Sequence, residues 1–518
     1  MSGTVVQAAP TGVEPPATDR RRRTAAVLAL ARFEARELVR QIPVLVFFLL
    51  YVGYTCWTLW SGREGMDAFP ALQDADRETQ ARPLLVGIAL FVCVNRAVLR
   101  SRRRGTDRHF DVLVMEPWRR TAAHVLSAVP FAVATALVVL FDFVCTALKP
   151  GAIGHGSPAE LAVGPLTVLL GAVAGALLAR LFPSGFAAPL LIVGALVLAS
   201  LASTQVADEH WAQWLWPVVA EGGSDPFPSE LVGRPAAWHA LYLAGLVVVL
   251  ACAAVLLSGG RTRAVRAVAV LALVATGAGI AGQSPGDPAS LAAARTEVSV
   301  SPEKTQSCLT HGGSKYCAFP EWSDRTADWA AVVDRVQTLA GGAAGGRELT
   351  VRQRLEARYG LTDDSALDPS RTPGQVTVGT RWGGNRVPEF AVAVAAVLVA
   401  GDEKSAETVC DARMVMVAWL ALGGEQDPLT TFRHVRLDDS ISGSAVILAP
   451  TGALSMTAQQ TAVVRELFEQ PRYGVTAKVK AHWAELTAPG TTTRRAAELL
   501  DVKTPTDEPA TEEEKCGE

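Results

Sequence analysis

The stretch that decides this chain's architecture is "PLLVGIALFVCVN", Pro83 to Asn95. It is apolar from Pro83 to Val94 and then stops. A spanning helix needs about 20 mostly apolar residues, with about 17 as a lower limit. This run reaches that length only as 83–99, with Arg82 and Arg96 extended toward the headgroups. If it crosses a membrane, every later loop lies on one set of sides. If it does not, every later loop is reversed.

The neighbouring runs are less ambiguous. Candidate spans fall at 42–60, 125–147, 161–182, 187–203, 238–258 and 265–282, so with 83–99 there are about seven. Lys and Arg counts in short loops orient such a bundle. With the N-terminus inside, nineteen Lys and Arg face inward and five face outward. The outward loops also collect acids, among them Asp67, Asp74, Asp76, Glu78, Asp208 and Glu209. This bias favours counting 83–99 as a span. An odd number of spans puts the C-terminus on the opposite side from the N-terminus.

The chain has 518 residues and a net charge of -3, with a mean hydropathy of +0.23. The balance of charge gives no global basic field, so no nucleic-acid partner is expected. No cleavable signal peptide is expected, since residues 1–23 are polar and the first long apolar run begins at Ile42. The expected fold class is mainly α: a polytopic membrane helix bundle followed by a mostly helical α+β soluble domain. Residues 1–23 read as a disordered cytoplasmic N-terminus and 24–283 as the membrane domain. Residues 284–503 read as an extracytoplasmic domain, and 504–518 as a disordered acidic tail. The expected location is the cell membrane, with membrane lipid as one partner.

Two segments of the membrane half are amphipathic. Thr24 to Gln41 carries Arg32, Arg36 and Arg40 at i, i+4 and i+8, one stripe of a helix. It reads as an interfacial helix or as a cytoplasmic extension of the first span. The loop "RSRRRGTDRHFDVLVMEPWRR", Arg100 to Arg120, is basic at both ends and apolar in its middle. Its arginines suit anionic lipid. Phe110, Leu113 and Val114 suit either docking of a partner or packing under the bundle.

Here the chain resembles the permease subunits of type-2 ABC transporters. Those permeases carry an interfacial helix before the first span and an inner-loop helix patterned Gly-Thr, Leu, Glu, aliphatic run, small residue, Thr-Pro and a basic residue. Phe110 takes the leucine position, Asp111 the acid, Val112 to Val114 the aliphatic run, and Pro117 the proline, with Arg119 and Arg120 following. The family's Gly-Thr is here Arg108-His109, a Gly105-Thr106 pair stands three residues earlier, and Glu116 replaces the Thr. The resemblance covers about residues 24–260. It implies that Phe110, Asp111, Leu113, Val114 and Pro117 dock on a separate ATP-binding cassette subunit. It also implies an exporter and a homo- or heterodimer of permeases. The string "YCAFPEW" resembles C-terminal regions that accompany such permeases.

No G-x-x-x-x-G-K-[ST] string occurs, so ATP hydrolysis is expected on the other subunit, with no cofactor here and no enzyme activity in this chain. The alternative reading is a membrane-anchored extracytoplasmic enzyme or sensor. Against it, neither H-E-x-x-H nor G-x-S-x-G occurs.

Asp142 is an acid inside the third span. Such residues usually face the bundle interior or an aqueous cavity. It reads as a contact on a substrate path, as a partner for Arg96, or as an interface residue near Lys149. In the C-terminal half, Cys308 and Cys317 flank "LTHGGSKY", where Gly312-Gly313 signals a turn. A disulfide across this hairpin fits an oxidising compartment. The alternatives are free thiols, or a zinc site with His311 that lacks a local fourth ligand. The segment after Gly282 reads as irregular up to "EVSVS". "TVRQRLEARYG" reads as a short helix, "GQVTVGTRW" as a strand, and "PEFAVAVAAVLVAG" as an apolar helix or buried strand.

Overall fold

A computed structural model describes residues 17–105, 115–205, 214–219, 223, 225–361, 365–436 and 444–503. The expectations for residues 1–16 and 504–518 lie outside this set. The chain is mainly helical. Among the described residues, five helices are long and apolar enough, by length and composition, to cross a membrane: Ile42–Ser61, Pro117–Ala147, Pro158–Leu181, Ala236–Leu257 and Arg263–Gln283.

The first helix, α1 (Ala17–Val39), starts within the segment read as disordered. Four consecutive arginines, Arg20 to Arg23, carry it there, and Arg is a good helix former. A turn at Arg40-Gln41 separates α1 from α2 (Ile42–Ser61), so α1 is a helix of its own and not an extension of the span. Pro43 sits in the first turn of α2, where a missing N–H costs nothing. A short helix, α3 (Leu72–Glu78), then precedes α4 (Leu84–Val98).

α4 is the stretch quoted at the outset. It has 15 residues, shorter than a lipid-facing span, and it is deeply buried. Val86, Leu90 and Cys93 are shielded by α2 and by α7, whose range is Pro158–Leu181. Glycine makes the contact with α7 close. A side chain at Gly171 would fall on the carbonyl of Gly87, and one at Gly175 on that of Phe91. Asn95 Nδ2 donates to the Gly175 carbonyl at 3.2 Å. This is small-xxx-small packing, in which the absence of Cβ lets backbones approach.

Between them lie α5 (Pro117–Leu126) and α6 (Val129–Ala147), joined by a single turn into the long apolar helix pair. After α7 come α8 (Ala187–Gln205), α9 (Ala236–Leu257) and α10 (Arg263–Gln283). α9 and α10 again meet through glycine, with Gly279 against the Tyr242 backbone. The end of the bundle that carries Arg100 and Pro117 is called the basic end below. The other is the domain end.

The C-terminal domain opens with α11 (Ala289–Val300), where the sequence read as irregular. Its alternating small residues hide a helix whose Val298 and Arg295 face inward. Four strands follow: β1 (Ser307–His311), β2 (Ser314–Ala318), β3 (Thr350–Gln353) and β4 (Gln375–Val378), in the order β1-β2-β3-β4. β1 and β2 are antiparallel, and the other two pairs are parallel. Gly312 and Gly313 take the left-handed turn conformation, at φ 56° and 89°, as a two-residue hairpin requires. β3 corrects the helical reading of "TVRQRLEARYG": Val351 and Gln353 alternate inward at the centre of a sheet, and sheet pairing overrides helix propensity there.

α12 (Thr326–Leu339) packs Trp329 and Val333 on the sheet. The apolar run near residue 390 is α13 (Arg386–Ala400), a helix buried on all sides. That explains its continuous apolarity without a further span. α14 (Asp411–Leu422) lies against it. A second hairpin, β5 (Ala445–Ala449) and β6 (Gly452–Met456), was not anticipated from the sequence.

The domain is not merely tethered. Ile153, Phe227, Leu231 and Val232, from loops of the bundle, are part of the same apolar core as Trp322 and Trp329. Arg325 is almost fully buried and donates to the carbonyls of Phe69 at 3.0 Å and Gly151 at 2.7 Å.

Candidate functional site

Two polar clusters stand out, one at each end of the bundle. The first surrounds the loop singled out by the sequence. Phe110, Asp111, Leu113 and Val114 lie outside the described residues. Pro117 is described, and it opens α5 at a position where proline is favoured. Beside it, Arg119 Nε donates to Glu116 at 2.6 Å, and its guanidinium lies 4.8 Å from the Trp118 ring centroid.

Both flanks of that loop are anchored. Arg100 Nη2 donates to Glu34 Oε2 of α1 at 3.3 Å. The same oxygen lies 3.8 Å from Nδ1 of His124, on α5. Glu34 is largely buried. Desolvation raises its carboxyl pKa above the ordinary range, while Arg100 opposes that rise. One turn before His124, Thr121 Oγ1 accepts from Arg180 of α7 at 2.7 Å and lies 2.7 Å from the Ser258 hydroxyl just after α9. α1, α5, α7 and the end of α9 are therefore joined by polar contacts immediately beside the loop.

The second cluster is at the domain end and contains Asp142. Asp142 Oδ2 accepts from Arg82 at 2.8 Å. Arg82 precedes α4, so the acid pairs with the arginine at that helix's start and not with Arg96 near its end. The pair borders a cavity of about 380 Å³, lined also by Asp67, Asp74, Glu78 and Lys149, with Arg381 and Trp382 of the C-terminal domain. Lys149 Nζ donates to the carbonyls of Gly62 and Asp67, each at 2.7 Å. Glu78 projects into this space, and its carboxyl is pushed above the ordinary range by burial.

Behind the cavity is a drier layer that the sequence reading missed. Arg77 lies 3.6 Å from Glu160 of α7, and Gln80 donates to the same carboxylate. Asp76 accepts from the Ser157 N–H at 2.7 Å, and desolvation pushes it up to about 7. The available signal was the density of charge in "LQDADRETQAR", which is high for a segment between two apolar helices. Trp214 is buried beneath the Arg77 guanidinium, 5.5 Å from it.

Cys308 and Cys317 are directly opposed in the β1–β2 register and form a disulfide. That resolves the open alternatives of free thiols and a zinc site with His311. Cys410 is also disulfide-bonded, to a partner outside the described residues. Among the described residues, no group of three His, Cys, Asp or Glu side chains could hold a metal ion.

No family model matches the chain, and neither the curated proteins nor the solved structures include a match.

Proposed function

We propose that this chain is the membrane-spanning permease subunit of an ATP-driven exporter of the type-2 ABC kind. A separate ATP-binding subunit docks on the loop 100–120, through Phe110, Asp111, Leu113, Val114 and Pro117. The observation that carries this reading is the anchoring of both loop flanks. A force applied between Arg100 and Pro117 has polar links to α1 through Glu34, to α7 through Arg180 and to α9 through Ser258. A loop that served only as a connection would not need them.

The proposal includes seven spans. α4 and α8 cross with the five longer helices, α4 being short because protein rather than lipid surrounds it. The N-terminus is then cytoplasmic and the C-terminal domain extracytoplasmic, as the Lys and Arg distribution favours. The Cys308–Cys317 disulfide agrees with that side. The bundle forms homo- or heterodimers with another permease. The cavity beside Asp142 then lies at the outer face, where a released substrate would meet the C-terminal domain.

The test is affinity purification of the full chain from its native membranes. The expected result is a stoichiometric nucleotide-hydrolysing subunit that the Leu113→Asp variant no longer retains, while the variant remains folded and inserted. Retention of that subunit by Leu113→Asp would rule out docking through the loop. Absence of any such subunit from the wild-type preparation would rule out the transport reading itself.

A further inference from the structure

At the basic end, α1, α2 and the start of α6 enclose a groove of about 430 Å³. Val39, Leu45 and Phe48 form one side, and Pro130, Phe131 and Ala134 the other. Phe48 and Ala134 lie one to two turns into their helices, so the groove runs from the basic end into the apolar zone. Its volume falls within the range of small-ligand sites, roughly 300–1,000 Å³.

Arg32 and Arg36 complete the lining, one turn apart on α1 and both exposed. Neither guanidinium takes part in a hydrogen bond or ion pair among the described residues. The described acids of α1 are engaged elsewhere: Glu34 holds Arg100 and Glu37 holds Arg40. Two guanidinium groups therefore sit unneutralised beside an apolar slot. A bilayer offers one molecule of that shape and charge, with a phosphate at one end and a hydrocarbon chain at the other. Guanidinium binds phosphate through paired N–H donors. Basic pockets between membrane helices bind anionic headgroups on this principle.

A second copy of the chain is a poorer occupant. A two-fold contact on this face would bring the Arg32 and Arg36 pairs of both copies together, with no free acid among the described side chains of α1 to separate them. A zwitterionic lipid is also disfavoured, since its cationic headgroup would approach the two arginines.

We propose that this groove is a binding site for one anionic glycerophospholipid, its phosphate on Arg32 and Arg36 and one acyl chain between α2 and α6. The site does not depend on the transport reading. It requires only that the bundle sits in a bilayer.

The full chain is reconstituted in nanodiscs of phosphatidylcholine containing a minor fraction of phosphatidylglycerol. It is then moved to mild detergent, and retained lipids are counted by native mass spectrometry. Wild type is expected to keep one phosphatidylglycerol per chain in preference to phosphatidylcholine. Arg32→Gln/Arg36→Gln should lower that retention by roughly tenfold. Ala134→Trp fills the slot with the charges intact and should lower it comparably, with the thermal midpoint reported alongside. Arg261→Gln/Arg263→Gln removes charge elsewhere at the basic end and should change nothing. Equal retention of both lipids overturns the proposal, as does retention by both groove variants. Equal loss in the Arg261/Arg263 variant assigns the effect to diffuse attraction. A change of oligomeric state without lipid loss assigns the groove to a protein partner.

Discussion

At the basic end, Glu34, Arg100, His124, Arg180, Thr121 and Ser258 meet through side chains alone. At the domain end, Arg325 and Arg295 reach backbone carbonyls of the bundle's loops, and Phe227 and Leu231 enter the C-terminal domain's own core. The difference lies in what each junction loses when its partners part. Arg100 is partly exposed, so its pair with the buried Glu34 loses less on parting than a fully buried pair would. A shared apolar core does not separate without exposing the area it hides. The domain end is therefore the more strongly held of the two junctions.

Breaking the domain end should have the larger effect. Phe227 is 2 % exposed, and truncating a buried Phe to Ala costs about 3–5 kcal/mol. Phe227→Ala should lower the thermal midpoint of the C-terminal domain's tryptophan signal, measured on the full chain in nanodiscs. An unchanged midpoint would mean that the domain does not depend on the loop at all. Glu34→Gln should do less. Arg100 is partly exposed, so the pair is discounted for solvent, to about 1–2 kcal/mol. A double-mutant cycle with Arg100→Gln should leave a coupling energy of about 1 kcal/mol, and the midpoint of the C-terminal domain should not move. A shift there as large as that from Phe227→Ala would erase the distinction between the two ends.

Much of this contrast was legible in the sequence, though unevenly. The five long apolar helices follow from length and composition. The Gly312-Gly313 hairpin follows from its turn chemistry, and the disulfide was one of the outcomes it left open. β3 was misread because Arg352 and Gln353 favour helix locally, and only pairing on both sides makes them a strand. α11 was missed because Ala and Ser give no apolar period. The glycines at 171 and 175 were readable as a small-xxx-small pair in an apolar run, and they account for how the short α4 is held. The polar clusters were not legible. Asp142 was identified as an unusual acid, but its partner Arg82 is sixty residues away, and no spacing rule connects them. The loop residues Phe110 to Val114 rest on their apolar pattern between basic flanks and on resemblance, and they lie outside the described residues.

A pH series sharpens the comparison further, because it separates the cavity's wet face from the dry layer behind it. Asp76 is 2 % exposed, and its ordinary pKa of 3.8 is pushed up to about 7 by desolvation. The Ser157 N–H opposes that rise, while Glu160 adds to it. The folded protein therefore binds a proton at this site that the unfolded chain has already released between about pH 4 and pH 7. Stability from this group is fully present below the unfolded value and is lost as pH rises through the folded one. Asp76→Asn removes the titration and keeps an oxygen for Ser157. The variant's unfolding free energy should fall less steeply than wild type between about pH 4 and pH 7, and the two curves should run parallel above about pH 8. Glu78 faces the cavity rather than the dry layer and keeps contact with solvent there, and Arg82 opposes its upward shift. Glu78→Gln should flatten the same curve less. If Glu78→Gln flattens it more, the proton sits in the cavity, and the dry layer behind Arg77 and Glu160 is not what holds it.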